Sequence, residues 1–454
     1  MNRVASVCSP SFRRRCGTTA VASVGASLVR SLGAAALVLI ALVSSSSLRP
    51  AVAADGLKPG DYVAVIGDSI TEQRLYSMFI EDYLLMCKPQ LDLRATQFGW
   101  GGETAPGFAG RMANDCLVFK PTVATTCFGM NDGGYSPLND EKAQRYRNGQ
   151  IAIVKQLKFA GARFIVVGSP GAVDLDKFRN DPKAAEMYNK TLAGLRDIAR
   201  DVAKAEGISF ADVFTPMLTA MPKAKAKYGK DYHVCGGDGF HPDRNGHLIM
   251  AYAFLKALGC DGHIGTITVD MGQAAAEATD GHKVLKAGTA ASGVNVELES
   301  SRYPFCFYGE ADKPGATRGI IEFFPFNEDL NRFMLVVKNP GGDKVRVTWG
   351  PSKKEFTAAQ LAAGVNLAAE MLDNPFSGPF AQVEQKIAEK QGMEVQLVKS
   401  LLHNLPLYKQ FAPSEAESLD RIAQSLVAKD VVARDAAAAA VKPVKHVITL
   451  ELVK

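Results

Sequence analysis

The chain has 454 residues, 47% of them hydrophobic and 22% charged, a balance that excludes wholesale disorder and a length that suggests two or three domains. The formal net charge is +5, yet residues 1–53 hold six arginines (Arg3, Arg13, Arg14, Arg15, Arg30, Arg49) and no acid, which leaves 46 basic against 47 acidic side chains in the remainder. That near-neutral remainder excludes a phosphate-backbone binder, and no nucleic-acid partner is expected.

The first predicted element is an export signal over residues 1–53. A basic start leads into the apolar run Leu32–Val43, a Ser44–Ser47 tract and the small-x-small triplet Ala51-Val52-Ala53. The apolar run is short of the ~20 residues needed to span a bilayer. Cleavage would give an exported product, periplasmic or secreted, with no stable membrane insertion; an uncleaved anchor is the competing reading. Arg13-Arg14-Arg15 lies too far ahead of the apolar run to support a twin-arginine route strongly. Six cysteines then remain (Cys87, Cys116, Cys127, Cys235, Cys260, Cys306). Their spacing fits no disulfide framework and no C-x-x-C motif, so they read as small buried hydrophobes, with a Cys235–Cys260 pair left open.

Residues 54–262 alternate apolar runs with helix-like stretches. Strands are expected at Tyr62–Ile66, Leu91–Phe98, Thr122–Phe128, Arg163–Gly168 and Ile208–Val213. Helices are expected at about Glu72–Met86, Gly107–Asp115, Asp140–Ala160, Asp181–Glu206 and Gly246–Leu258. Nearly continuous apolar strands in β-α-β-α order imply an α/β fold, a parallel sheet covered on both faces as a three-layer α/β/α sandwich. Its ligand site should lie beyond the carboxyl ends of the strands.

Residues 263–454 differ. Shorter β-like segments (Gly265–Met271, Val294–Leu298, Arg318–Phe323, Arg332–Val337, Lys344–Val347) predict an antiparallel β-rich region. A helical excursion follows over about Ala358–Leu372 and Pro379–Ala440, and Val447–Val453 reads as a strand returning to the β region.

The residues with chemistry fall in the first of these regions. YVAVIGDSITE (Tyr62–Glu72) runs strand, tight turn, helix, which sets Ser69 at the sheet edge; a serine there is a nucleophile only with a base beside it, and otherwise Asp68 or Ser69 is a helix cap. The base appears in GGDGFHPDRNGH (Gly236–His247), where Asp238 and His241 stand three apart in a glycine-flanked loop, so that the carboxylate can orient the imidazole. Among seven histidines, His241 alone has this setting. His233 could flank it, and His247 fits a capping or packing role. Without a second histidine at ligand spacing, no metal is expected. GWGGET (Gly99–Thr104) and GMND (Gly129–Asp132) each follow a strand: Gly102 could offer a backbone N–H and Asn131 its side-chain amide to an oxyanion, although a plain turn explains either segment alone. Trp100 and Tyr135 could stack on a sugar face or simply pack.

The four blocks GDSIT, GGET, GMND and DGFH, in this order over about residues 60–260, resemble the SGNH hydrolase superfamily, also called GDSL-type lipases and esterases. Ser69, Gly102, Asn131, Asp238 and His241 match its pattern position by position, with GDSI in place of GDSL. The resemblance implies a flavodoxin-like fold, no cofactor, a Ser69–His241–Asp238 triad acting through an acyl-enzyme, and an oxyanion hole made by the N–H groups of Ser69 and Gly102 and by Asn131. A glycine-rich, polar mouth and export suit a small acyl group, such as acetyl, on a carbohydrate or other small-molecule ester. Lysophospholipase or thioesterase action, acyl transfer to a polysaccharide, and a non-enzymatic binding role for residues 263–454 are the alternatives.

Overall fold

A computed structural model describes residues 56–290 and 292–453; the leader with its Ala51-Val52-Ala53 triplet lies outside them. Five parallel strands, β1 (Tyr62–Gly67), β2 (Arg94–Gly99), β3 (Val123–Cys127), β4 (Phe164–Gly168) and β5 (Ser209–Ala211), stand in the order β2-β1-β3-β4-β5. This is the flavodoxin-like order, whose switch point falls between β1 and β3. β1 is buried along its whole length, and successive residues serve opposite faces: Val63 and Val65 join one core, Ala64 and Ile66 the other. Helices α1 (Ser69–Glu72), α2 (Tyr76–Asp82), α3 (Ala105–Asp115), α4 (Asp140–Phe159), α5 (Pro182–Glu206), α6 (Phe214–Tyr228) and α7 (Arg244–Ala257) connect the strands. α3, α4 and α5 cover the face of Ala64 and Ile66, while α2, α6 and α7 cover the other.

Local cap signals explain the starts of α3, α4 and α5. Thr104, Asn139 and Asp181 cap α3, α4 and α5 by accepting from the N–H groups of Gly107, Lys142 and Lys183. One expected helix, Glu72–Met86, is instead broken: Arg74 sits at φ 61°, separating α1 from α2. α6 was not anticipated, since Pro222 falls inside it and proline ordinarily ends a helix.

The region beyond is built of β6 (His263–Asp270), β7 (Ala275–Ala278), β8 (His282–Ala290), β9 (Gly293–Ser300), α8 (Phe326–Leu330), β10 (Arg332–Lys338), β11 (Lys344–Trp349), β12 (Ser352–Thr357), α9 (Ala358–Ala363), β13 (Val365–Asn366), α10 (Leu367–Glu370), α11 (Ser377–Val395), α12 (Leu405–Phe411), α13 (Ala416–Ala439) and β14 (Val444–Leu452). Two sheets form, in the orders β13-β10-β6-β7 and β12-β11-β14-β9-β8. The final strand does return, pairing with both β9 and β11. The pairings are antiparallel except β6–β10, which is parallel, because β10 enters after a long crossover rather than a hairpin. Arg318–Phe323 is not a strand; its centre is the single 3-10 turn Ile320–Glu322. Strands β7, β8, β12 and β13 are also beyond the expected set; β8 and β12 are about half-exposed and lysine-bearing, so no apolar alternation marks them.

The described residues cluster as one compact unit, and a core of buried side chains runs from β1 and α2 into β6, β9 and β10. The helical excursion closes the exposed edge of the parallel sheet. At β2, Lys390 Nζ donates to Ala95 O (2.8 Å), Gln97 N to Glu394 Oε2 (3.1 Å) and Thr96 Oγ1 to Asp430 Oδ2 (3.2 Å). Side chains thereby satisfy an edge that would otherwise seek another strand. All six cysteines of the described residues are free and buried, so Cys235 and Cys260 are not paired; burial pushes the Cys260 thiol up to about 12. No helix among the described residues is long and apolar enough to cross a membrane.

Candidate active site

The carboxyl ends of the central strands lie level: Gly67 is in register with both Gly99 and Cys127, and Cys127 with Gly168. The segments of Ser69, Gly102 and Asn131 each leave the sheet at this edge. Ser69 opens α1 directly after β1, in a turn held by the buried Asp68, whose Oδ1 accepts from Ile70 N at 2.9 Å. Burial raises the Asp68 carboxyl to about 7.

From the other side comes the loop before α7. Ser69 Oγ lies 2.8 Å from His241 Nε2, and His241 Nδ1 lies 2.7 Å from Asp238 Oδ2. With Nδ1–H donating to the carboxylate, Nε2 is free to accept the serine proton. Asp238 Oδ1 accepts from the N–H groups of His241 (2.9 Å) and Phe240 (3.0 Å). Burial works to raise this carboxyl, but these N–H donors and the imidazole outweigh it and hold Asp238 below the usual carboxylate range. The loop that achieves this spacing needs Gly236: at φ 84°, a Cβ there would meet the His241 carbonyl oxygen at 1.7 Å.

Two further segments border the serine. After β2, Trp100 N donates to Gly67 O and Glu103 N to Trp100 O, both at 3.2 Å. The exposed Gly101 and Gly102 form the tip of this turn, Gly102 at φ 73°. After β3, Asn131 Nδ2 donates to Glu103 O (3.0 Å), while Asn131 Oδ1 accepts from Tyr135 OH (3.0 Å). The amide is thus locked to the neighbouring turn with one of its two hydrogens still uncommitted to any described residue. Asp132 fastens the same segment to α3 by accepting from Ala105 N at 3.0 Å, and burial lifts its carboxyl to about 6. Ser69, Asp238, His241, Gly102 and Asn131 therefore converge on one edge.

Trp100 and Tyr135 are engaged within the protein. The Trp100 ring meets the Arg111 guanidinium at 4.5 Å, Lys399 Nζ at 4.7 Å and the His403 ring at 4.6 Å. Tyr135 stacks on Tyr188 at 5.1 Å and meets Phe240 edge-on at 5.5 Å, while Phe240 lies 4.3 Å from the His241 ring. Arg179, exposed, sits over Tyr135 at 5.6 Å. Of the other histidines, His233 faces Asp243 at 3.1 Å. His247 is buried; its Nδ1 accepts from Tyr76 N and its Nε2 bonds Gln73 Oε1, each at 3.2 Å. Burial pushes this imidazole down to about 3, and it packs between helices as its position suggested.

Sequence reasoning missed Glu72, Glu103, Lys399 and His403. Glu72 Oε2 accepts from Gly101 N at 2.5 Å, and Glu103 Oε2 pairs with Arg111 Nε at 2.6 Å. A local signal existed for these two, since both lie inside the quoted blocks. Lys399 and His403 reach the site from about 300 residues away, and nothing in their own neighbourhood marks them.

A parallel sheet with a serine–imidazole–carboxylate chain at its carboxyl edge defines the class of α/β ester hydrolases that need no metal for their nucleophile. Residues 65–249 match the model of the GDSL-like Lipase/Acylhydrolase family. That segment is a GDSL-like (SGNH) hydrolase segment, and the protein is a carboxylic ester hydrolase. A search of curated proteins finds no match. Among solved structures, a gut microbial diltiazem-metabolizing enzyme is 22% identical, with 87% of this chain and 98% of that one covered at a TM-score of 0.67. This likeness concerns the fold, and its extent takes in the C-terminal region as well. A catalytic mutant of an acetylxylan esterase from Geobacillus stearothermophilus (21% identity, TM-score 0.36, 45% of this chain and 96% of that chain) also aligns. So does an alpha/beta hydrolase enzyme from the metagenome of Lake Arreo, Spain (25%, 0.35, 45% and 97%).

Proposed function

We propose that the protein is an exported serine esterase that removes small acyl groups, acetyl foremost, from a carbohydrate or similar polar scaffold through an acyl-enzyme. The observation that carries the mechanism is the continuous chain Ser69 Oγ–His241 Nε2–His241 Nδ1–Asp238 Oδ2, with links of 2.8 and 2.7 Å. His241 accepts the Ser69 proton as Oγ attacks the ester carbonyl, and Asp238 stabilises the imidazolium that results. The N–H groups of Ser69 and Gly102 and the uncommitted hydrogen of Asn131 Nδ2 take the charge of the tetrahedral oxygen. Collapse expels the alcohol, which His241 protonates; water then attacks the acyl-Ser69 by the same route and frees the acid.

The substrate class rests on the mouth. Gly101, Gly102, Gly134 and Arg179 are all exposed around it, a polar rim suited to a hydroxyl-rich alcohol moiety. On the acyl side the close rings of Tyr135, Tyr188 and Phe240 favour a short chain. Export rests on the basic, apolar, Ala-Val-Ala pattern of residues 1–53.

A fluorophosphonate probe followed by peptide mass spectrometry tests the mechanism. Labelling at Ser69, abolished in His241→Ala, is expected; a folded protein that stays unlabelled would sink the reading. Aryl esters from acetyl to long-chain, assayed in parallel, test the acyl group. A preference for long chains would favour lysophospholipase or thioesterase action, and acyl groups appearing on an added polysaccharide would mean transfer.

A further inference from the structure

The turn that carries Gly102 is held from outside the parallel sheet. Glu72, the last residue of α1, uses both carboxylate oxygens: Oε2 accepts from Gly101 N and Oε1 from Lys399 Nζ, each at 2.5 Å. The same Lys399 ammonium lies 4.7 Å from the centroid of the Trp100 ring, an electrostatically favourable cation–π distance. One side chain of the helical excursion therefore touches both the carboxylate that holds Gly101 N–H and the ring of Trp100, the residue before Gly101, one by charge and one by its π face. His403 adds a second contact to Trp100 at 4.6 Å and bonds Asp115 Oδ2 through Nδ1 at 2.8 Å. Asp115 in turn anchors Arg111 at 3.0 Å, and Arg111 holds both Trp100 and Glu103. Glu103 O is the acceptor for Asn131, so a further proposed oxyanion donor hangs on the same network.

The geometry points to Lys399 as a positioning residue for the oxyanion turn, acting through Glu72 and Trp100. The inference rests on the reading of Gly102 and Asn131 as oxyanion donors. Gly102 needs such help: it is exposed, at positive φ, and a Cβ built on it would meet nothing within 4 Å, so its own surroundings do not fix it. The orientation of its N–H depends on the preceding peptide, and that peptide is tied down at Gly101 N–H by Glu72. The Lys399–Glu72 pair is about three-quarters buried on each side (28% and 25% side-chain exposure). Its loss would loosen the turn rather than remove a donor. The damage should appear in the transition state, where the oxyanion forms, and not in ground-state binding.

The test measures kcat and KM on p-nitrophenyl acetate for the full chain carrying Lys399→Met, Lys399→Arg, Glu72→Gln and Lys399→Met with Glu72→Gln. Lys399→Met should lower kcat by roughly ten- to a hundred-fold, less than outright removal of an oxyanion donor, with KM within about two-fold. Lys399→Arg should recover most of the loss. The double variant should be no worse than the poorer single, because the two residues act as one unit. Wild-type kcat in folded Lys399→Met, equal losses in Lys399→Met and Lys399→Arg, or multiplicative losses in the double variant would each overturn the inference. Should Lys399→Met fail to fold, Glu72→Gln alone decides: it keeps an acceptor for Gly101 N–H but removes the charge that Lys399 binds, and an unchanged kcat overturns the proposal. Failure of the esterase reading itself looks different, since wild-type turnover would then be absent or would survive Ser69→Ala.

Discussion

The parallel sheet and the helical excursion solve positioning in different ways. In the sheet, Ser69, Gly102 and Asn131 each follow a strand end by a few residues, and strand register does the aligning: Gly67 lies level with Gly99 and Cys127. In the excursion, Lys390, Glu394 and Asp430 meet β2 one by one through their side chains. Lys399 and His403 reach the Trp100 turn in the same way. Register is set by many backbone hydrogen bonds, whereas these side-chain props are individually removable. The chemical step should therefore depend steeply on the first region, and stability and fine geometry on the second.

The steepest expected loss is at Ser69. Ser69→Ala should reduce kcat on acetyl esters by at least ~10⁴-fold with an unchanged melting temperature, because the serine is only partly buried; appreciable turnover in this variant would remove the chemistry from the sheet edge. In the excursion the counterpart is Lys390, buried with its ammonium 3.0 Å from Glu81 Oε1 and paired also with Glu394. Lys390→Met should cost about 3–5 kcal/mol of stability by leaving buried acids unpaired, read by denaturant unfolding, while kcat of the folded fraction stays within a few-fold. A variant as stable as wild type would show that the props at β2 are dispensable.

Asn131→Ala sharpens the contrast inside the first region. It should lower kcat about 10²–10³-fold with little change in KM, and a rise in KM alone would reassign the amide to ground-state binding. The smallest effect concerns pH. Burial raises the Glu394 carboxyl to about 8 despite Lys390 beside it, so the folded state holds a proton that the unfolded chain releases near 4.5. Its stabilising contribution is complete below about pH 4.5 and is lost as pH rises through about 8. Glu394→Gln should therefore raise the melting temperature more at pH 9 than at pH 5. An equal shift at both values would mean that the proton resides elsewhere in the cluster.

The sheet and the serine edge were legible in the residue pattern. Apolar runs separated by helices specify a parallel three-layer fold, and the blocks of Ser69, Gly102 and Asn131 are legible because each sits within a few residues of a strand end, whereas the Asp238–His241 loop, between α6 and α7, is legible by the three-residue spacing of its carboxylate and imidazole. What surrounds them depends on packing between distant parts of the chain. The ring of Trp100 is open to a substrate or filled by Lys399, Arg111 and His403 according to packing across about 300 residues, which no local pattern encodes. Tyr135 carries the same lesson: its residue type suggests a platform, but its hydroxyl holds Asn131. The strands β8 and β12 escaped notice because half-exposed pairing leaves no apolar alternation. The parallel β6–β10 pair was likewise invisible, because partner choice between strands is made by the folded whole, where burying a common core outweighs proximity along the chain.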